Sequence, residues 1–366
     1  MRIVFDYQIF SVQEYGGISR YFVELANHLA EAKEAQVKVI SPVYVNAYLA
    51  TKSPKVQLVG VKMPLVKRTG RIYHAINLAL ARPLTALYRP NLVHETYYNG
   101  QASGPVGCKR VLTVYDMIHE RFPGDFPAHD TVAKDKVAAV QRADHVICIS
   151  EHTRQDLINL HGIAPEKTSV IHLGFSLSQA STPAIPPVNQ PFLLYVGSRA
   201  GYKNFAGLLR AYANSPDLLK NYRLVAFGGG ALTAHELDLA RKFGIPAGQL
   251  VQIPGGDDVL GRLYRQAAAF IYPSLYEGFG IPPLEAMSFD CPVVCSNTSS
   301  IPEVVGDAAL MFDPLSPERM AQAIGAAVTD LATRQRLIAR GRERVKQFSW
   351  AACAQQTLLV YKKVLA

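Results

Sequence analysis

The stretch Tyr272-Pro273-Ser274-Leu275-Tyr276-Glu277-Gly278-Phe279-Gly280-Ile281-Pro282-Pro283-Leu284-Glu285-Ala286-Met287 leaves a chain few ways to fold. A short apolar run, residues 267–272, reads as a buried strand that Pro273 ends, and two glycines then carry the backbone into a helix opening near Ile281. Glu277 stands before that helix. Glu285 stands about one turn inside it, with a side chain leaning back toward the helix N-terminus, so both carboxylates are expected to look into one cleft. Between them the amides of Gly278, Phe279, Gly280 and Ile281 can face a ligand, because Pro282 and Pro283 carry no N–H and a first helical turn leaves donors unpaired. Such a helix start attracts anions. Carboxylates beside a phosphate are suited to neutral hydroxyls, which they hold by charge-assisted hydrogen bonds. Hydroxyls, phosphate, hydroxyls is the order of groups in a nucleotide sugar.

Two glutamates with seven residues between them, in this Gly and Pro setting, closely resemble the signature of retaining glycosyltransferases of family four. The resemblance implies an α/β protein of the GT-B fold: two Rossmann-like domains whose parallel sheets face each other across a cleft, with a C-terminal helix crossing back to the first domain. It also implies that Glu277 holds the transferred hexose and Glu285 the ribose. An isolated pair of glutamates is usually a turn residue and a solvated helix residue; the pattern between these two weighs against that reading.

A chain of 366 residues is long for one core and suits two domains, and an apolar share of 49% with 18% charged residues marks it as globular. No apolar run reaches the length of a membrane span. Met1 leads straight into Arg2-Ile3-Val4-Phe5-Asp6 without a signal peptide, so a cytoplasmic location is expected. The five cysteines, Cys108, Cys148, Cys291, Cys295 and Cys353, read as reduced core thiols. A formal charge of +9 favours an anionic partner: a nucleotide diphosphate, an acidic membrane surface or nucleic acid.

Strand-like and helix-like runs alternate almost throughout, which argues for parallel sheets covered by helices. Residues 1–175 form the expected first domain, the Ser-, Pro- and Ala-rich stretch 176–190 a linker, 191–348 the second domain and 349–366 the returning helix. After the first strand, Gly16 and Gly17 precede a helical pattern over residues 21–32; a glycine pair here is either a plain tight turn or a close approach to phosphate. By resemblance it is the loop that meets the donor diphosphate. The basic run 62–71, with Lys67, Arg68 and Arg71, reads as a solvated loop or as a contact for lipid phosphates at the inner face of the membrane.

His94, Glu95, Asp116 and His119 follow the ends of short strands, the edge at which open parallel sheets bind ligands. They are candidate sugar contacts, though a lone His or Asp there is more often a structural hydrogen-bonder. Relatives commonly have His-Asp where this chain has Tyr115-Asp116. Tyr115, Asp116 and His119 are therefore all open as the replacement contact.

In the second half, Arg199 and Lys203 follow the strand at residues 192–197, where two cations can grip a diphosphate leaving group. The resemblance places the family's diphosphate-binding Arg and Lys there. Phe227-Gly228-Gly229-Gly230 has the look of a dinucleotide loop, but Thr233 stands in place of the third glycine and no acidic ribose-binder follows, which argues against a nicotinamide cofactor. Ile253 ends a strand whose following loop, by the resemblance, passes beside the nucleobase.

Together these residues point to transfer of a hexose to a glycan or lipid-linked acceptor, with mannose from GDP-mannose expected from likeness to bacterial polysaccharide mannosyltransferases and UDP-sugars as the alternative donors. Retention by front-face attack is implied by the resemblance. No metal cluster is evident, and the nucleotide sugar is a substrate, so no cofactor is expected. An epimerase of the same fold would release an altered nucleotide sugar without an acceptor. A nucleic-acid-binding protein would show clustered Arg and Lys beside exposed aromatics on a helix, a pattern the chain lacks.

Overall fold

The computed structural model describes residues 1–66, 69–176, 190–199 and 201–366. Lys67, Arg68, Ala200 and residues 177–189 of the expected linker lie outside them. The chain divides into two compact units.

The first comprises Met1–Arg121, Phe126–Gly174 and Ser349–Ala366. Its seven strands are β1 (Arg2–Phe5), β2 (Gln36–Tyr44), β3 (Gln57–Lys62), β4 (Leu92–Glu95), β5 (Lys109–Val114), β6 (His145–Cys148) and β7 (Thr168–Val170). They lie in the order β3-β2-β1-β4-β5-β6-β7 with every neighbouring pair parallel. β4 and β6 are buried at every position, as strands covered on both faces must be, which is why they read as short unbroken runs instead of alternating ones. The order reverses between β1 and β4.

The helix after the glycine pair spans Gly17–Glu31 and buries Tyr21, Phe22, Leu25 and Leu29. It starts four residues before the apolar pattern does, since a first turn needs no apolar face. The short helix Gln8–Val12, between β1 and the glycines, was not read from the sequence. The helix Trp350–Leu365 also belongs to this unit; the Ser349 hydroxyl accepts a hydrogen bond from the amide of Ala352 and caps it. Gly174, where the chain leaves the unit, lies so close to Trp350, where it re-enters, that a Cβ there would come within 2.3 Å of the Trp350 nitrogen.

The second unit comprises Phe122–Asp125 and Phe175–Phe348. Phe122–Asp125, expected with the first domain, groups here because the Phe122 ring packs 5.8 Å from Tyr202 and 6.0 Å from Tyr276. Strands β8 (Phe192–Val196), β9 (Arg223–Phe227), β10 (Leu250–Ile253), β11 (Ala269–Tyr272), β12 (Val293–Ser296) and β13 (Ala309–Phe312) form a parallel sheet in the order β10-β9-β8-β11-β12-β13. Its reversal falls between β8 and β11. Tyr195, Leu208, Tyr212, Ile271, Met320 and Ile324 lie in its core. All five cysteines are free thiols, and burial pushes Cys148 and Cys291 up to about 12.

Candidate active site

In an open parallel sheet the crevice at the carboxyl ends of the strands, where the order reverses, is the ligand-binding place. In the second unit that place is made by the segments following β8 and β11. Lys203 comes from the first and Glu277 from the second, and Lys203 Nζ donates to Glu277 Oε1 at 2.7 Å. Glu277 is only 7% exposed. Its carboxylate also accepts a hydrogen bond from the hydroxyl of buried Tyr272, and burial together with that charge holds the phenol well above its ordinary range.

The turn carrying Glu277 is held by hydroxyls from the segment after β12. The Ser299 hydroxyl accepts from the Glu277 amide at 2.9 Å, and the Ser300 hydroxyl donates to the carbonyls of Glu277 and Phe279, both at 2.8 Å. Thr298 donates to the Leu275 carbonyl at 3.1 Å. Two bonds join the β8 segment to the same turn. The Leu275 amide donates to the Tyr202 carbonyl, and the Asn204 side chain donates to the Pro273 carbonyl.

Beyond the turn the helix is Ile281–Ser288. Gly280, at φ 115°, sits in a region that L-residues with a side chain rarely enter, and Pro282 and Pro283 occupy the first turn. The Phe279 ring is buried 5.7 Å from Phe348, which restricts this residue to backbone contacts with a ligand. Glu285 lies inside the helix and accepts the hydroxyl of fully buried Tyr264 at 3.2 Å. Each glutamate is thus oriented by a buried tyrosine, Tyr272 for Glu277 and Tyr264 for Glu285. Neither tyrosine was singled out from the sequence, because a Tyr in a buried strand or helix reads as core. Ile253 is half-buried at the end of β10.

Arg199 departs from the sequence reading. Its side chain is 4% exposed, and Nε donates to Glu236 Oε1 at 2.6 Å. Nη1 donates to the Gly228 carbonyl, and Nη2 to those of Gly229, Gly230 and Ala231. The guanidinium is therefore spent on a cage of carbonyls and a carboxylate, and it presents no fork to a diphosphate. The glycine run is the other half of that cage: Gly228, Gly229 and Gly230 all have positive φ, which turns their carbonyls onto one point, and a Cβ at Gly229 would sit 2.7 Å from Arg199 Nη1. Thr233 and Glu236 form a capping box on the next helix, so Glu236 is fixed as well. What resembled a dinucleotide loop is a seat for an arginine.

In the first unit the candidates separate. His94 has no exposed surface. Its Nδ1 lies 2.6 Å from the Tyr361 hydroxyl and its Nε2 2.9 Å from Thr113 Oγ1, among the rings of Phe5 and Phe22. Burial depresses its pKa to about 3. It is a core residue that ties the terminal helix to the sheet, and no acceptor can touch it. Glu95 is chelated by Arg142 at 3.0 and 2.7 Å and is equally buried. Tyr115 is buried too, its amide donating to the Tyr98 hydroxyl and its own hydroxyl directed at the Thr96 carbonyl. This corrects the reading of His94 and Tyr115 as acceptor contacts: aromatic packing has enclosed both.

Asp116 and His119 remain partly open at the sheet edge. Asp116 Oδ1 accepts from the Ile118 amide at 3.0 Å and lies 4.0 Å from Nζ of Lys136, a fully buried lysine that also donates to the Asp116 carbonyl and to Glu120. The His119 ring stacks on Phe126 at 3.9 Å, with Nε2 3.8 Å from Asp130, and burial lowers its pKa. Gly16, in an extended conformation, precedes the Gly17–Glu31 helix. The Gln13 carboxamide reaches over that helix start and accepts from the Ser19 amide at 3.3 Å. Among the described residues no group of three or more His, Cys, Asp or Glu is placed to hold a metal ion.

Two doubly wound parallel sheets, with a Lys–Glu pair at the reversal of the second, define a GT-B glycosyltransferase, and family models agree: "Glycosyltransferase Family 4" matches residues 15–179 and "Glycosyl transferases group 1" residues 181–344. Together the two matches run through nearly the whole chain, which is a glycosyltransferase similar to those of family four. It is similar to the O-antigen chain mannosyltransferase B of Escherichia coli, 29% identical over 94% of this chain and 96% of that protein. It is also similar to the alpha-maltose-1-phosphate synthase of Mycolicibacterium smegmatis, 27% identical over 100% of both. A solved sucrose-phosphate synthase from Thermosynechococcus elongatus shares the fold at a TM-score of 0.75 and 20% identity, over 99% of this chain and 98% of that one.

Proposed function

We propose that this glycosyltransferase moves a mannosyl group from GDP-mannose to a hydroxyl of a lipid-linked glycan, retaining the anomeric configuration. The observation that carries the reading is the Lys203–Glu277 pair at the β8/β11 reversal, a cation for the diphosphate and a carboxylate for sugar hydroxyls 2.7 Å apart. Glu277 grips the hexose. Lys203 and the helix start at Ile281 meet the charge that develops on the departing diphosphate. Glu285, steadied by Tyr264, takes the ribose hydroxyls. The bond from the anomeric carbon to the phosphate oxygen breaks on the face where the acceptor oxygen bonds, and the acceptor's proton passes to the leaving phosphate.

In the first unit, Asp116 and His119 are the acceptor residues, and Gly16 and Gly17 supply amides for an anion. Mannose and GDP are favoured because the O-antigen mannosyltransferase aligns over nearly the whole chain. Thermal stabilisation by GDP- and UDP-sugars tests the donor, and proton NMR of the product's anomeric signal tests retention. Stabilisation by UDP-sugars alone would sink the donor assignment. Inversion would sink the mechanism. An altered nucleotide sugar formed without acceptor would identify an epimerase instead.

A further inference from the structure

The excess of cations over acids falls within one stretch of the sequence. Residues 35–94 hold nine Lys and Arg and no Asp or Glu; the 38 cations less these nine leave 29, equal to the 29 acids of the whole chain. This stretch runs through β2 and the edge strand β3 into the helix Gly70–Tyr88 of the first unit.

That helix buries only one of its sides. One side buries Tyr73, Asn77, Ala81 and Thr85. On the other, Ile72 is 58% exposed, Ile76 36%, Leu80 47% and Leu87 79%, although all four are aliphatic. At the angular step of a helix they share an arc of about 80°. Arg71 and Arg82, both exposed, border the arc on one side, and the helix carries no acid. The segment leading into it is similar. Val61, Met63, Leu65 and Val66 are exposed, and the Tyr73 hydroxyl donates to the Pro64 carbonyl at 3.1 Å, which holds this segment to the helix start. Exposed aliphatic surface of this extent marks an interaction site.

We propose that this face docks onto an anionic lipid bilayer, the helix lying in the plane of the interface with its aliphatic stripe among the acyl chains and its arginines at the phosphates. A bilayer satisfies both parts of the surface at once. A second copy does not: two-fold association would press two cationic, acid-free segments together. Among the described residues no helix is long and apolar enough to cross a membrane, and the proposed contact is one in which this helix lies along the surface. The inference draws on the proposed function only for its purpose, because a lipid-linked acceptor resides at that interface.

Co-sedimentation of the full chain with phosphatidylcholine vesicles, with and without phosphatidylglycerol, tests it, alongside transfer to a water-soluble acceptor. The parent is expected to bind the anionic vesicles. Ile76→Ser/Leu80→Ser/Leu87→Ser should bind at least about tenfold more weakly even at low salt, and Leu87→Ser alone should show part of that loss. Arg71→Gln/Arg82→Gln should reduce the preference for anionic over neutral vesicles. Leu237→Ser/Leu331→Ser, at exposed positions of the second unit, should bind like the parent. All should keep soluble transfer. A parent that stays in the supernatant, a triple variant that binds like the parent, or a solution dimer that the same changes dissociate would each overturn the proposal. Loss of soluble transfer in the parent, with vesicle binding intact, would count against the glycosyltransfer reading and leave the docking surface standing.

Discussion

The strands beside the reversal points of the two sheets end differently. In the second unit β8 and β11 lead to Lys203 and Glu277, side chains paired with each other at the sheet edge and steadied from behind by tyrosine and serine hydroxyls. In the first unit β4 ends in His94 and Glu95, and β5 leads into Tyr115; these are enclosed by rings and by Arg142. The same topological position carries the candidate site in one unit and core residues in the other. Polarity at a strand end does not decide between the two. What decides is whether neighbouring elements close over the group and satisfy its hydrogen bonds from within.

The largest effect that can break this comparison is at Glu277. Glu277→Ala should lower kcat by roughly a thousandfold or more while the nucleoside diphosphate still binds, since its contacts strengthen in the transition state. Turnover within about threefold of the parent would remove the site from this edge.

Arg199 and Lys203 sharpen it. Arg199→Ala leaves Glu236 and a cage of carbonyls without their cation, and should cost about 3–5 kcal/mol of stability, read as a fall in the denaturation midpoint of the second unit. Lys203→Ala should cost little stability and weaken diphosphate binding by roughly 10–100-fold. The reverse pattern would restore Arg199 to the site.

His94 tests the core side. Its folded pKa lies below the unfolded value, so on acidification the unfolded chain takes up a proton that the folded chain refuses. The stability it contributes is present above about pH 6.5 and is lost as pH falls toward 3. From pH 7 to pH 5 this amounts to about 2 kcal/mol, and His94→Gln should remove that part of the slope in urea titrations at the two pH values. An unchanged slope would mean the imidazole is not enclosed.

The smallest expected change is Ser300→Ala, which strips a donor from the buried carbonyls of Glu277 and Phe279. It should cost about 1–3 kcal/mol and slow turnover several-fold without changing diphosphate affinity. A variant indistinguishable from the parent in both respects would show that the hydroxyl does not hold the turn.

Much of the architecture was legible in the sequence, because buried parallel strands are short apolar runs with Gly, Pro and polar breaks, and both sheets follow from that alternation. The Glu277 turn was legible too, since its Gly and Pro spacing is dictated by backbone geometry. Arg199 was not. A cation after a strand looks the same whether it faces a phosphate or four carbonyls, and only the consecutive positive φ angles at Gly228–Gly230 distinguish the two. The Thr233–Glu236 capping box was a readable hint, four residues that fix the partner of Arg199. His94 was obscured because its partner, Tyr361, lies 267 residues away, beyond any local pattern. Tyr264 and Tyr272 were hidden for the opposite reason: their rings belong to the core and only their hydroxyls serve the glutamates.

The close approach of Gly174 to Trp350 bears on how the protein is made. The first unit opens with β1 and is completed only by Ser349–Ala366, beyond the whole of the second unit in sequence, which brings Trp350 against Tyr21 and Tyr361 onto His94. During synthesis residues 1–174 emerge before the second unit yet lack one wall of their core until residues 349–366 have been made, whereas the second unit has all its strands beforehand. The usual order, N-terminal domain first, is therefore inverted at the final step. A nascent chain stalled before residue 349 would hold a completed second sheet and a first sheet with Tyr21 and His94 still open to solvent, the kind of surface a chaperone binds.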